Sequence, residues 1–84
     1  MNELHMHTLV DKITQFEQTY KAAVENIVQA RKQSGTTQES MAAWLDISRS
    51  TLTDFENCKR HDFNLLIKYG YYTGVDIKLN FEIN

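Results

Sequence analysis

The chain has no proline, three glycines and one cysteine among its 84 residues, and each scarcity removes a class of structure. A single cysteine cannot close an internal disulfide, so a stapled secreted scaffold is excluded and the lone thiol fits a reducing compartment. No apolar run approaches the roughly 18 residues that a membrane span requires. The opening residues Met1 to His5 carry Glu3 where a signal peptide would be basic, so a cytoplasmic location is expected. An excess of positive charge is missing too: nine basic residues face eleven acidic ones, a net charge of −2. Read globally, this counts against nucleic-acid binding, although the distribution of the charges matters more than their sum. There is no glycine-rich phosphate loop and no carboxylate pair that can be set in a cleft, and so small a domain rarely encloses a substrate pocket; neither an enzyme nor a cofactor is expected. His5 and His7 lie at chelating spacing but in a terminus expected to fray, with His61 far along the chain, so no metal site is expected. No motif places a histidine to activate Cys58, which reads as a small loop residue.

With 42% hydrophobic and 24% charged residues, the composition is that of an ordinary soluble domain. A chain this short buries a limited core, and a second copy would help it. From Met1 to Ser34 neither glycine nor proline interrupts a stripe in which Leu9, Ile13, Phe16, Tyr20, Ala23 and Ile27 recur at alternating spacings of four and three. The stripe predicts one long helix from about Thr8 to Gln33, or two helices broken near Gln18 to Lys21, with Gly35 as the cap in either case. Its expected role is packing on its own domain or on a dimer mate.

Residues 37 to 57 read as two short amphipathic helices joined by a tight turn. Met41, Ala42 and Leu45 share one face of the first, and Leu52 and Phe55 one face of the second, so the pair can enclose a small core. Ser48, Arg49, Ser50 and Thr51 then open the outer face of the second helix with short or hydrogen-bonding side chains. That surface suits a major groove about 12 Å wide. Between Arg31 and Arg60 the basic residues (Arg31, Lys32, Arg49, Lys59, Arg60) slightly outnumber the acidic ones (Glu39, Asp46, Asp54, Glu56), and Lys59 and Arg60 sit where a loop would meet phosphate.

From roughly Val24 to Val75 the chain resembles the lambdoid phage repressor and Cro family, the Xre-type helix-turn-helix proteins. The residues that carry the likeness are Arg31, Gly35, Thr37-Gln38-Glu39, Ala42, Ser48 to Leu52, and Glu56-Asn57. The resemblance implies a structural ion pair between Arg31 and Glu56, phosphate contacts from Gln38 and Asn57, base-facing positions for Arg49, Ser50 and Asp54, and Thr53 near the backbone. Thr51 belongs to the same binding surface. Two positions depart from the pattern: Asp46 stands in the turn and Cys58 after Glu-Asn, where the family usually has glycine. Both favour positive φ, which aspartate tolerates better than cysteine. A proline frequent after the exit loop is absent, and Asp62 is a plausible N-cap for the next helix.

That helix, residues 63 to 74, is expected to bury Phe63, Leu66, Ile67 and the Gly70-Tyr71 pair, with Gly70 marking close packing or a weakened last turn. Trp44 is expected in the core or its rim, packing the N-terminal extension. The pattern then changes to strict alternation, with Val75, Ile77, Leu79, Phe81 and Ile83 apolar, as in a strand with one buried face. Nothing else in the sequence reads as β, so the strand is expected to pair with its copy across a two-fold axis. This tail also resembles that of HipB-type antitoxins of toxin–antitoxin systems.

The expectation is therefore a mainly α protein of about five helices with one C-terminal strand, divided into an extension (1–20), a helix-turn-helix domain (21–74) and a dimerisation strand (75–84). The expected function is a homodimeric, sequence-specific regulator, a repressor, of palindromic double-stranded DNA. The alternatives are an antitoxin that neutralises a cognate toxin and autoregulates its operon, and a protein-interaction adaptor that has lost DNA binding.

Overall fold

A computed structural model describes residues 3–77, with side chains from Thr8 onward. Among the described residues there are four helices: α1 (Glu3–Gln33), α2 (Gln38–Leu45), α3 (Arg49–Glu56) and α4 (Phe63–Thr73). The first spans 31 residues, about 46 Å at the α-helical rise. Of the two alternatives for the first third of the chain, the structure takes the single helix, and it runs through residue 20 without a break. Arg31 and Lys32 complement the dipole of its last turn, and Gly35, at φ 76°, closes it.

Each shorter helix begins on a side-chain cap. Thr37 accepts from the Ser40 amide at 3.1 Å, Ser48 from the Thr51 amide at 3.0 Å, and Asp62 from the Leu65 amide at 2.9 Å. The turn between α2 and α3 depends on Asp46 at φ 57°, and the exit from α3 on Cys58 at φ 58°. Both are the positions at which the sequence carries a residue other than glycine under a demand for left-handed backbone.

The core draws on all four helices. Tyr20, Val24 and Ile27 of α1 meet Met41, Ala42 and Leu45 of α2, Leu52 and Phe55 of α3, and Leu65, Leu66 and Tyr69 of α4. Each large side chain among them contributes about 1.5–3 kcal/mol by leaving water. Tyr20 also holds the loop after α3: its hydroxyl accepts from the Asp62 amide at 3.1 Å and donates to the Arg60 carbonyl at 3.4 Å, and its ring lies against His61.

Two expectations are corrected here. The buried face of α4 is Leu65, Leu66, Tyr69 and Gly70, whereas Phe63, Ile67 and Tyr71 are exposed, because the polar tip of Tyr69 turns inward to hydrogen-bond partners and rotates the helix accordingly. Trp44 is half exposed and lies against Tyr72 of α4 at 5.7 Å between ring centroids, away from the N-terminal extension. The alternation expected of the tail is kept in burial over residues 75–77, with Val75 and Ile77 partly buried against the core and Asp76 exposed, and the Val75 amide donates to the Gly70 carbonyl at 2.9 Å; no strand pairing is present among the described residues. The backbone of Gly70 makes that possible, since a Cβ there would come within 2.7 Å of Ile77 Cγ1. Leu79, Phe81 and Ile83, the rest of the expected dimerisation strand, lie outside the described residues. Among the described residues no helix is long and apolar enough to cross a membrane.

Candidate nucleic-acid interface

Burying Leu52 and Phe55 fixes which way α3 faces. Arg49 and Ser50 in its first turn are exposed, Thr51, Thr53 and Asp54 are partly exposed, and Asn57, Lys59 and Arg60 lie on the open exit loop, with Asn57, Lys59 and Arg60 all exposed. Some of these groups are already committed. The Ser48 hydroxyl donates to that of Thr51 at 2.9 Å, and the Thr53 hydroxyl donates to the Arg49 carbonyl at 3.0 Å. Thr51 and Thr53 thus keep lone pairs for an incoming donor, and the Arg49 side chain beside them is 62% exposed.

Beneath this face lies a buried polar cluster. Arg31, 6% exposed, donates from Nε to Glu56 Oε2 at 2.9 Å and from Nη2 to Oε1 at 3.3 Å, and its Nη1 reaches the Thr36 carbonyl at 2.9 Å. The expected ion pair is present. Tyr69, which sequence reasoning missed, completes it: the phenol accepts from Arg31 Nε at 2.8 Å and donates to Glu56 Oε2 at 2.5 Å. Burial, together with this bond to Glu56, raises the Tyr69 pKa well above its ordinary value. Burial works against the charge on Arg31, but its bonds to Glu56 and Tyr69 outweigh that and raise its pKa. Among the described residues no buried side-chain nitrogen or oxygen lacks a partner, so the cluster carries no unmet desolvation cost of the kind that makes buried charges unstable.

Gln38 joins the buried cluster to the exposed face. Its Nε2 donates to Glu56 Oε1 at 2.9 Å, while its Oε1 accepts from Arg49 Nε at 3.4 Å. A glutamine at the first position of a helix stands among unpaired backbone amides, where an anion is favoured; here its side chain is also clamped from below. Arg49 has a second partner that the sequence reading did not single out: Glu39 Oε1 lies 2.6 Å from Arg49 Nη1, with both side chains 62% exposed. The arrangement presents one oriented guanidinium, short hydroxyls and two helix starts on a single side. Its chemistry is that of a surface for anionic, hydrogen-bonding ligands.

Cys58 is partly buried, and burial raises its pKa, which disfavours the thiolate a nucleophile would need. Among the described residues no group of histidine, cysteine, aspartate or glutamate could hold a metal ion; the side chains of His5 and His7 lie outside them. Comparison with protein-family models, curated proteins and solved structures finds no match to this chain.

Proposed function

We propose that the chain is a sequence-specific DNA-binding regulator, acting as a repressor, that binds palindromic double-stranded DNA as a homodimer. The observation that carries the reading is the path Glu56–Gln38–Arg49: a buried carboxylate orients Gln38, and Gln38 helps to orient the one guanidinium at the start of the exposed helix. Arginine held in a plane suits bidentate hydrogen bonding to guanine O6 and N7, and α3 is short enough for its first turn to enter a major groove end-on. Gln38, Asn57, Lys59 and Arg60 flank it as phosphate contacts, and Ser50 and Asp54 face the bases. In a two-fold pair the recognition helices enter successive grooves about 34 Å apart. The net charge of −2 sets weak nonspecific affinity and a shallow dependence on salt.

The test is a selection of bound fragments from random DNA, followed by mobility shifts on the recovered site. An inverted repeat is expected, with Arg49→Ala weakening binding to it by about ten- to a hundredfold, the value of one bidentate base contact. An Arg49→Ala variant whose affinity for the selected site, and whose preference for it over unrelated DNA, match those of the parent chain would refute the assignment.

A further inference from the structure

The helix α3 has two flanks, and the contacts described so far use mainly one. Arg49 turns towards Gln38 and Glu39 of α2. Thr51, two residues on, falls about 200° further round the helix, with exposed Ser50 between the two. On the Thr51 side an open groove of about 290 Å³ separates α3 from α4, lined among others by Ile47, Thr51, Arg60, Asp62, Asn64 and Lys68. We propose that Lys68 of α4 is a further phosphate contact, holding the strand of the duplex opposite to the one that meets Gln38.

The charges on this flank select an anion. Arg60 and Lys68 are both exposed, and among the described residues neither belongs to an ion pair, whereas Arg49 on the other flank has Glu39 at 2.6 Å. The carboxylate in the groove, Asp62, is turned to its own helix, where Oδ1 accepts from the Leu65 amide at 2.9 Å. Two cations against one carboxylate leave the groove positive. The Thr51 hydroxyl accepts from Ser48 and has its own proton to donate to an oxygen. The frame behind these groups is fixed: the Tyr20 hydroxyl bonds to the backbone at Arg60 and at Asp62, and Leu65 and Leu66 bury α4 on either side of the turn that leads to Lys68.

A helix with its side chains is about 10–12 Å across and the major groove about 12 Å wide, so a helix seated there brings groups on both flanks to the two backbones. Lys68 stands on a second helix, set back from the first turn of α3. An ammonium on a long flexible stem at that place suits a phosphate as a point charge, which positions the protein without reading sequence. This contact presupposes the DNA-binding reading, but the two fail in different ways.

Anisotropy titrations of the full chain on the selected site and on unrelated DNA, from about 50 to 200 mM salt, test it. Lys68→Ala should weaken both affinities by the same factor, about three- to tenfold, and lower the slope of log affinity against log salt by about 0.9, the share of one phosphate. Lys68→Arg should restore both. Thermal unfolding of the variants should match the parent, since the side chain is exposed. Duplexes with single phosphates replaced by neutral methylphosphonate locate the contact: at one position in a half-site the parent should lose affinity and Lys68→Ala should lose none. That position should lie on the strand opposite the one found in the same way with Gln38→Ala.

An unchanged salt slope in Lys68→Ala overturns the proposal, while selective binding by the parent leaves the DNA-binding reading standing. Loss of preference for the selected site would make Lys68 a base contact and overturns it too, and two positions on one strand overturn the opposite-strand arrangement. A parent chain that binds no DNA removes the reading and the contact together.

Discussion

Arg31 and Arg49 stand on either side of Gln38, each paired with a glutamate, and the closer pair is the less important for folding. Arg49 and Glu39 are 2.6 Å apart and 62% exposed, whereas Arg31 and Glu56 are 2.9 Å apart with side chains 8% and 7% exposed. Water and mobile ions screen the first pair, and the energy of holding two long side chains together offsets most of the gain. The second pair is shielded and bidentate, and each end has further partners in Tyr69, Thr36 and Gln38. Separation alone does not rank these contacts; burial does. The same residue type serves as scaffold at 31 and remains available to a ligand at 49.

The largest effect should come from breaking the buried side. Arg31→Met leaves Glu56 charged and buried beside Tyr69, a loss of about 3–5 kcal/mol. A chain of this length has about 4–13 kcal/mol in all, so urea unfolding should show a collapse of stability or a chain that does not fold. A midpoint within about 0.5 M of the parent, which corresponds to a loss near 1 kcal/mol at the usual urea slope, would mean that the pair is exchanged for equally good packing. Replacing both partners together, Arg31→Met with Glu56→Leu, should cost less than either change alone, because no orphaned charge remains.

Tyr69 sharpens the comparison because its contribution can be titrated. Burial and the bond to Glu56 raise its pKa above the ordinary 10.0. Unfolded chains therefore release the phenolic proton at a pH where folded ones retain it. The stabilisation is fully present below about pH 10 and is lost as pH rises towards the folded value. Tyr69→Phe should lower stability near neutrality by about 1–3 kcal/mol, since it leaves a buried carboxylate short of one donor. It should also flatten the decline between pH 10 and 11. A variant that declines as steeply as the parent would move the effect to Tyr20, whose pKa burial also raises.

How much of this contrast could be read from the chain alone differs between its two sides. The outward face of α3 follows from helical spacing, whereas the pairing of Arg31 with Glu56 and the place of Gln38 at the head of α2 follow only from the family resemblance. The left-handed backbone at Asp46 and Cys58 follows from the resemblance too, because these are the positions where that family usually carries glycine. Tyr69 was not legible. It stands in an apolar run, Leu65-Leu66-Ile67-Lys68-Tyr69-Gly70-Tyr71-Tyr72, where several faces satisfy a helical period, and only a buried acceptor 13 residues earlier selects one. Trp44 was given the wrong neighbour for a related reason: its partner Tyr72 lies on a helix whose rotation was itself ambiguous. The strand period in the tail was plain, and over residues 75–77 the burial follows it, with Val75 and Ile77 turned to the core and Asp76 to solvent. Periodicity reports that a face is apolar. It does not report which neighbour arrives to cover it.

On the exposed side the expected changes in stability are small and the changes in binding large. Arg49→Ala removes two surface contacts and should shift stability by about 1 kcal/mol or less. Thermal unfolding beside the mobility shift checks this: an unaltered melting curve with lost DNA affinity is the expected pair of results. A fall in stability comparable to that of Arg31→Met would mean that Arg49 is scaffold as well, and the contrast between the two arginines would fail.

Glu39 carries the smallest and most specific prediction. Its carboxylate holds Arg49 Nη1 in the free protein, yet it also sets a negative charge beside the surface proposed to meet phosphates. Stability should barely respond to Glu39→Gln, because an exposed pair contributes about 0–1 kcal/mol. Two opposing effects act on binding. Loss of the restraint frees Arg49 to sample other rotamers, whereas loss of the charge removes repulsion from the duplex and releases the guanidinium from a competitor. Gln38 keeps its own contact with Arg49 Nε, so orientation is only partly lost and the electrostatic gain should prevail. Affinity for unrelated DNA should therefore rise by more than affinity for the selected site, narrowing the ratio between them, and the difference should shrink as salt is raised. Were both affinities to fall together, the restraint would outweigh the charge, and Glu39 would belong with Gln38 among the residues that position Arg49.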